Sequence, residues 1–143
     1  MCMKALQLAG RIIMENGGET YRVEETVTRM GRAFGLKDVE SFAVPSGVFV
    51  SYEKEDGSHE TAVLRVHRKG INLTRVNAVN QVSRQAERGE ITLDGALRAL
   101  QAIEYSTLYT NKQILPAAGI SAAAWAIMFG GGIADFFIAF ATA

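Results

Sequence analysis

The chain has one cysteine, two histidines and no net charge, with 15 Lys and Arg against 15 Asp and Glu in 143 residues. Each shortage closes off a class of function. A lone Cys2 excludes an intramolecular disulfide and a cysteine cluster for metal, and it reads as a small unreactive side chain near a terminus. His59 and His67 stand eight apart on one expected strand, too far along an extended segment to share a metal ion, so no metal site is expected. Balanced charge provides no global field to draw nucleic acid. Catalytic motifs are missing too. Ser46 in "PSGV" is not a nucleophile elbow, and Ser83 in "VSR" has no His at a motif spacing. Gly130, Gly131 and Gly132 lie in an apolar tail rather than after a strand, so no nucleotide loop and no cofactor is expected.

Charge is scarcest near the end. Lys112 is the last basic residue and Asp135 the only charge beyond it, so residues 1–112 hold 29 of the 30 charged side chains. Residues 114–129 form an uncharged run of sixteen, slightly short of the roughly 20 that a bilayer core needs. The uncharged stretch begins earlier, after Glu104, with Lys112 its one interruption, and Tyr105 and Tyr109 are placed to sit at headgroup level. After the glycine triplet a second run, "FFIAFATA", reaches the chain end, too short to cross a membrane. It reads as the cut-off start of a second membrane helix. Small residues in "AAGISAAA" suit close helix approach in lipid. The competing soluble reading buries both runs in a homo-oligomer. Arg98 and Lys112 lie on the domain side of the first run, which puts residues 1–112 in the cytoplasm. No signal peptide is read at the N-terminus, because Lys4, Gln7 and Arg11 interrupt its apolar run.

The charged part is amphipathic. Lys4, Gln7, Arg11 and Glu15 form one polar stripe, with Leu6, Leu8, Ala9, Ile12 and Ile13 opposite. Gly17-Gly18 ends that helix, and Thr20 is the expected N-cap of a second one carrying Val23, Val27, Met30 and Phe34 inward. From Val39 the pattern alternates at period two, which predicts strands over 39–44, 47–54 and 59–67 with a hairpin at Asp56-Gly57. Two more helices follow, the first with Leu73, Val76, Val79, Val82 and Ala86 inward, the second with Leu93, Ala96, Leu97, Leu100 and Ile103 inward. The expected fold is therefore α+β: an ααβββαα domain over 1–112 with a small, mainly antiparallel sheet. Residues 113–143 begin an α-helical membrane bundle.

Several stretches resemble, in order, the threonine/serine exporters and their relatives, the split two-subunit exporters of small dicarboxylates such as succinate. They are "GGETYRVEETVTRMGRAFGL", "VPSGVFVSY", "RKGINLTRVNAVNQVSRQAERGEITLDGAL" and "FGGGIADFFIAF". The departure is length, since that family continues through several more membrane helices. The resemblance implies a secondary transporter in the inner membrane, not an enzyme. It also implies a small amino acid or dicarboxylate as substrate, the lipid bilayer as surroundings, and a second small integral-membrane subunit as a candidate partner. It assigns no residue.

The candidate residues come from the pattern itself. The joint "NGGETYRVEET" exposes helix-start amides beside Arg22, a geometry that binds carboxylates, whereas Glu19, Glu24 and Glu25 argue for a self-capped structural joint. Thr20, Arg22 and Glu24 are its candidates. Asn77 and Asn80, three apart on one helix face, either tie down backbone of a neighbouring strand or line a polar cleft. Arg75, Arg84 and Arg88 are expected on the outer, solvated side. Asp135 either caps the second apolar helix or couples substrate or protons. The leading reading is a transporter subunit, the alternative a cytoplasmic metabolite-sensing domain on a membrane bundle, and a hydrolase on an anchor stands third.

Overall fold

The computed structural model describes residues 1–67, 70–106, 109 and 111–142. The chain falls into two compact units, Met1–Tyr105 and Ser106–Ala143. The first runs α1 (Cys2–Glu15), α2 (Thr20–Ala33), β1 (Lys37–Val44), β2 (Gly47–Glu53), β3 (His59–Arg65), α3 (Leu73–Glu87) and α4 (Leu93–Tyr105). The second holds α5 (Asn111–Met128) and α6 (Ile133–Thr142).

In the first unit the helical periodicity turns directly into a core. Leu6, Leu8, Ala9, Ile12 and Ile13 of α1 are buried with Val23, Val27 and Met30 of α2. Val76, Val79 and Val82 of α3 and Ala96 and Leu100 of α4 complete the helical side. The three strands form an antiparallel sheet in the order β1-β2-β3. Its inner face supplies Val39, Ala43, Val48, Val50 and Tyr52. The alternate residues point outward, so Phe42, Phe49 and Val63 line up across the three strands and stay exposed.

Several boundaries differ from the sequence reading. Strand β1 starts at Lys37, two residues early, with a register irregularity between Lys37 and Glu40. Strand β3 stops at Arg65. Val66 leaves the ladder to donate its N–H to the Ser46 carbonyl at 3.0 Å, and His67 lies beyond it. The hairpin expected at Asp56-Gly57 is present, its β2–β3 connection a five-residue loop closed by the Lys54 N–H on the Ser58 carbonyl at 2.8 Å. Asp56 steadies it by accepting from the Ser58 N–H at 2.9 Å. Leu73 is not in the core. As the first residue of α3 it precedes the turn that meets the other helices, and it is exposed.

The α1–α2 joint is built from both glycines. Gly17 takes φ +85°, and a Cβ on Gly18 would lie 2.2 Å from the Ile13 side chain, so neither position accepts another residue cheaply. The joint is laced to the entry of α3. The Gly70 N–H donates to the Glu15 carbonyl at 2.8 Å, and the Asn72 N–H to the Asn16 carbonyl at 3.0 Å. These satisfy carbonyls that a helix end would otherwise leave unpaired. Asn72 also caps α3, its Oδ1 accepting from the Arg75 N–H at 3.1 Å.

In the second unit α5 and α6 pack on each other. Ala123 is buried, and a Cβ on Gly119 would meet the Phe140 ring at 2.8 Å. The small-residue stretch therefore allows close helix approach, as its composition suggested. Large side chains stay outside, among them Ile120, Trp125, Phe129, Phe137 and Ile138. Among the described residues, no helix is long and apolar enough to cross a membrane. Helix α5 opens with Asn111-Lys112-Gln113, which leaves its apolar part about 22 Å long at 1.5 Å per residue, against roughly 30 Å of bilayer core.

Candidate functional site: a groove at the helix joint

The joint at Gly17-Gly18 leads from α1 into α2, which packs against α3, and a groove of about 320 Å³ opens between the start of α2 and α3. Its walls are Gly17, Gly18, Glu19 and Arg22 on one side and Leu73, Val76, Asn77 and Asn80 on the other. The structure thus brings Arg22 together with Asn77 and Asn80, although it precedes both asparagines by more than fifty positions in sequence.

Arg22 sits in the first turn of α2, exposed at the rim. Its Nε donates to the Tyr21 hydroxyl at 3.3 Å, and the guanidinium lies 5.9 Å from the Tyr21 ring centre. That hydrogen bond, more than the neighbouring acids, raises its pKa above the usual value. Glu19 stands 3.8 Å away, one turn before it, and both side chains are largely solvent-exposed. Such an exposed pair contributes little to stability, which leaves both groups available.

Asn80 is half-buried. Its Oδ1 accepts from the Thr26 hydroxyl at 3.1 Å, so its side chain ties α3 to α2 and not to a strand, as the sequence reading had it. Asn80 lines the groove, and its amide also carries an NH₂ donor. Asn77, one turn earlier, is exposed at the same wall. Val76 is buried beneath them, and the exposed Leu73 gives the groove an apolar edge.

Three sequence candidates lie elsewhere. Thr20 is the first residue of α2, and its expected role as N-cap falls to Glu19, whose backbone is extended with φ −77° and ψ 151° and whose side chain makes no capping bond. Glu24 points toward the sheet. Its Oε1 accepts from the Ala43 N–H at 2.8 Å, and its backbone carbonyl accepts from the Ser41 hydroxyl at 3.0 Å, so it guards the free edge of β1. Asp135 belongs to the second unit, where its Oδ2 accepts from the Gly132 N–H at 2.8 Å at the start of α6. That bond is the geometry of a helix cap.

Of the expected outer arginines, Arg84 and Arg88 are exposed and Arg88 pairs with Glu90 at 2.6 Å, but Arg75 is half-buried. Sequence reasoning missed Leu73 and Val76 as groove walls, and Glu19 as a rim partner of Arg22 rather than a repulsive neighbour. The Glu19–Arg22 spacing of three was the available signal. Among the described residues, no cluster of three or more His, Cys, Asp or Glu is placed to hold a metal.

The family described as "Putative threonine/serine exporter" matches residues 4–143. The chain belongs to this family. Within it, the chain is similar to the "Probable succinate transporter subunit YjjP" of Escherichia coli (strain K12), 30% identical over 95 residues that cover 66% of this chain and 37% of the relative. It is also similar to the protein of the same name in Klebsiella aerogenes, 36% identical over 75 residues that cover 52% of this chain and 29% of the relative. The exporter-family chain thus spans about a third of the length of these curated relatives. No solved structure matches it.

Proposed function

We propose that this chain is a subunit, or the N-terminal portion, of a secondary transporter that exports small hydrophilic metabolites, either threonine and serine or a dicarboxylate such as succinate. The observation that carries the reading is the partition of the chain. A charged α+β unit with a well-filled core precedes an apolar hairpin whose Ile, Phe and Trp side chains face outward. An exposed apolar surface of that kind suits lipid or other membrane helices better than water. Residues 1–112 then lie on the cytoplasmic side of the inner membrane, and residues 113–143 contribute to the membrane bundle. A small integral-membrane subunit is the proposed partner, in keeping with relatives named as subunits.

Asp135 is proposed as a helix cap rather than a coupling group, because its carboxylate is already engaged by the Gly132 amide. The test is efflux of threonine, serine and succinate from cells carrying the gene, with and without a co-expressed small membrane subunit. Raised efflux of one of these solutes supports export, and Asp135→Asn should leave it unchanged. Efflux equal to that of cells lacking the gene, for all three solutes in both settings, overturns the reading.

The groove at the α1–α2 joint favours one addition. It lies wholly within the charged unit, so it is proposed as a sensing site for a metabolite on the cytoplasmic side, with the membrane part moving the solute.

A further inference from the structure

We infer that the groove binds a free α-amino acid with a short side chain, held as a zwitterion, and discriminates against dicarboxylates. This deepens the sensing role proposed above and rests on it. Glu19 and Arg22 place one negative and one positive group 3.8 Å apart on the same rim. An α-amino acid carries its ammonium and carboxylate on one carbon, so it meets both charges at once, ammonium to Glu19 and carboxylate to Arg22. Among the described residues, the only ion pair that either side chain makes is the long one with the other. A ligand can therefore replace it without breaking a buried interaction.

The opposite wall fixes the rest of the ligand class. The NH₂ of Asn80, whose oxygen is already taken by Thr26, and the exposed amide of Asn77 offer hydrogen bonds to a hydroxyl or a carboxylate oxygen. Leu73 and Val76 supply an apolar strip. A volume of about 320 Å³ lies at the lower end of small-molecule sites, which favours a short side chain over an aromatic one. A dicarboxylate fits worse. With one carboxylate on Arg22, its second would face Glu19, and among the described residues the groove wall holds no other cation. Among the described residues the rim is neutral in sum, and the ligand that matches it is neutral in sum as well.

The experiment is calorimetric titration of threonine, serine and succinate into the purified chain in detergent. Expected are binding of threonine and serine, with succinate at least tenfold weaker. Glu19→Gln and Arg22→Gln should each weaken the amino acids tenfold or more, and Glu19→Gln should narrow the gap to succinate. Both side chains are exposed, and unchanged melting of each variant confirms that the fold is intact. Three results overturn the inference: no heat from either amino acid at millimolar concentration, succinate binding as tightly as threonine, or amino-acid binding indifferent to both substitutions. Export in cells without binding here removes the site and leaves the transport reading standing, whereas binding without export does the reverse.

Discussion

The two units use the same apolar side chains in opposite ways. In the first, Leu6, Ile13 and Leu100 are wholly inside, and charged residues occupy the other face of each helix. In the second, Phe129 is 80% exposed and Ile138 63% exposed, and α5 has no polar face to contrast with an apolar one. An amphipathic helix declares which side meets water. A helix that is apolar all round declares only that water is not its final neighbour. The lesson is that composition separates the units more sharply than secondary structure does.

The largest test of that contrast compares two truncations of similar size. Leu6→Ala should cost about 3 kcal/mol, because it opens a cavity in a filled core. Ile138→Ala should change stability by less than about 0.5 kcal/mol. Denaturant titrations followed by circular dichroism in one detergent would measure both, and equal costs would break the contrast.

Within the second unit, contact is concentrated where Gly119 meets Phe140. Gly119→Ala should weaken the hairpin by about 2 kcal/mol, since the added methyl group would overlap the ring. Trp125 is the only tryptophan and stacks on Phe129 with ring centres 5.6 Å apart. Its fluorescence therefore reports this loosening without interference from the first unit.

A smaller effect belongs to the α3 cap. Asn72→Ala should cost about 1 kcal/mol by releasing the Arg75 amide, whereas Asn72→Asp should retain most of it. Thermal melts of the two variants separate a cap from a mere surface position.

The smallest effect sharpens the contrast through pH. Burial first, then the hydrogen bond to Glu60, pushes the Tyr52 phenol up to about 12. The bond, donated by the Tyr52 hydroxyl at 2.8 Å, also lowers the Glu60 carboxyl below its usual range. The raised phenol contributes stability that is fully present below about 10 and is lost as pH rises toward 12. The lowered carboxylate contributes stability present above the ordinary carboxylate range and lost as pH falls through it. Tyr52→Phe should flatten both limbs in the first unit's pH profile. The Trp125 signal of the second unit should not respond.

Much of this architecture was legible because periodicity is a local property. The stripe from Lys4 to Glu15, the alternation after Val39 and the valines of α3 each announce an element within a few turns of chain. Asp135 as a cap was also readable, since a carboxylate three residues after Gly132 matches a helix start. The failures share a cause. Leu73 fits the α3 stripe, yet the helix enters the core one turn later, and only the packing of α1 and α2 sets that depth. Thr20 looks like a cap, but the turn at Gly17-Gly18 puts the chain into helix one residue earlier. The groove itself is a meeting of residues 17–22 with residues 73–80, and no short window of sequence contains both. Asn80 illustrates the limit well: its amide was expected to hold backbone, and its partner proved to be the Thr26 hydroxyl on another helix.

The backbone bonds from Gly70 and Asn72 to the end of α1 bear on the order of folding. They join segments fifty-five positions apart, Gly70 to Glu15, and the whole sheet lies in the loop they close. Closing so long a loop carries an entropic cost that only contacts already made within it offset. Helix α1 should therefore acquire its last hydrogen bonds late, after the hairpins have formed. The Gly70 and Asn72 amides should gain protection from hydrogen exchange only in the final folding phase.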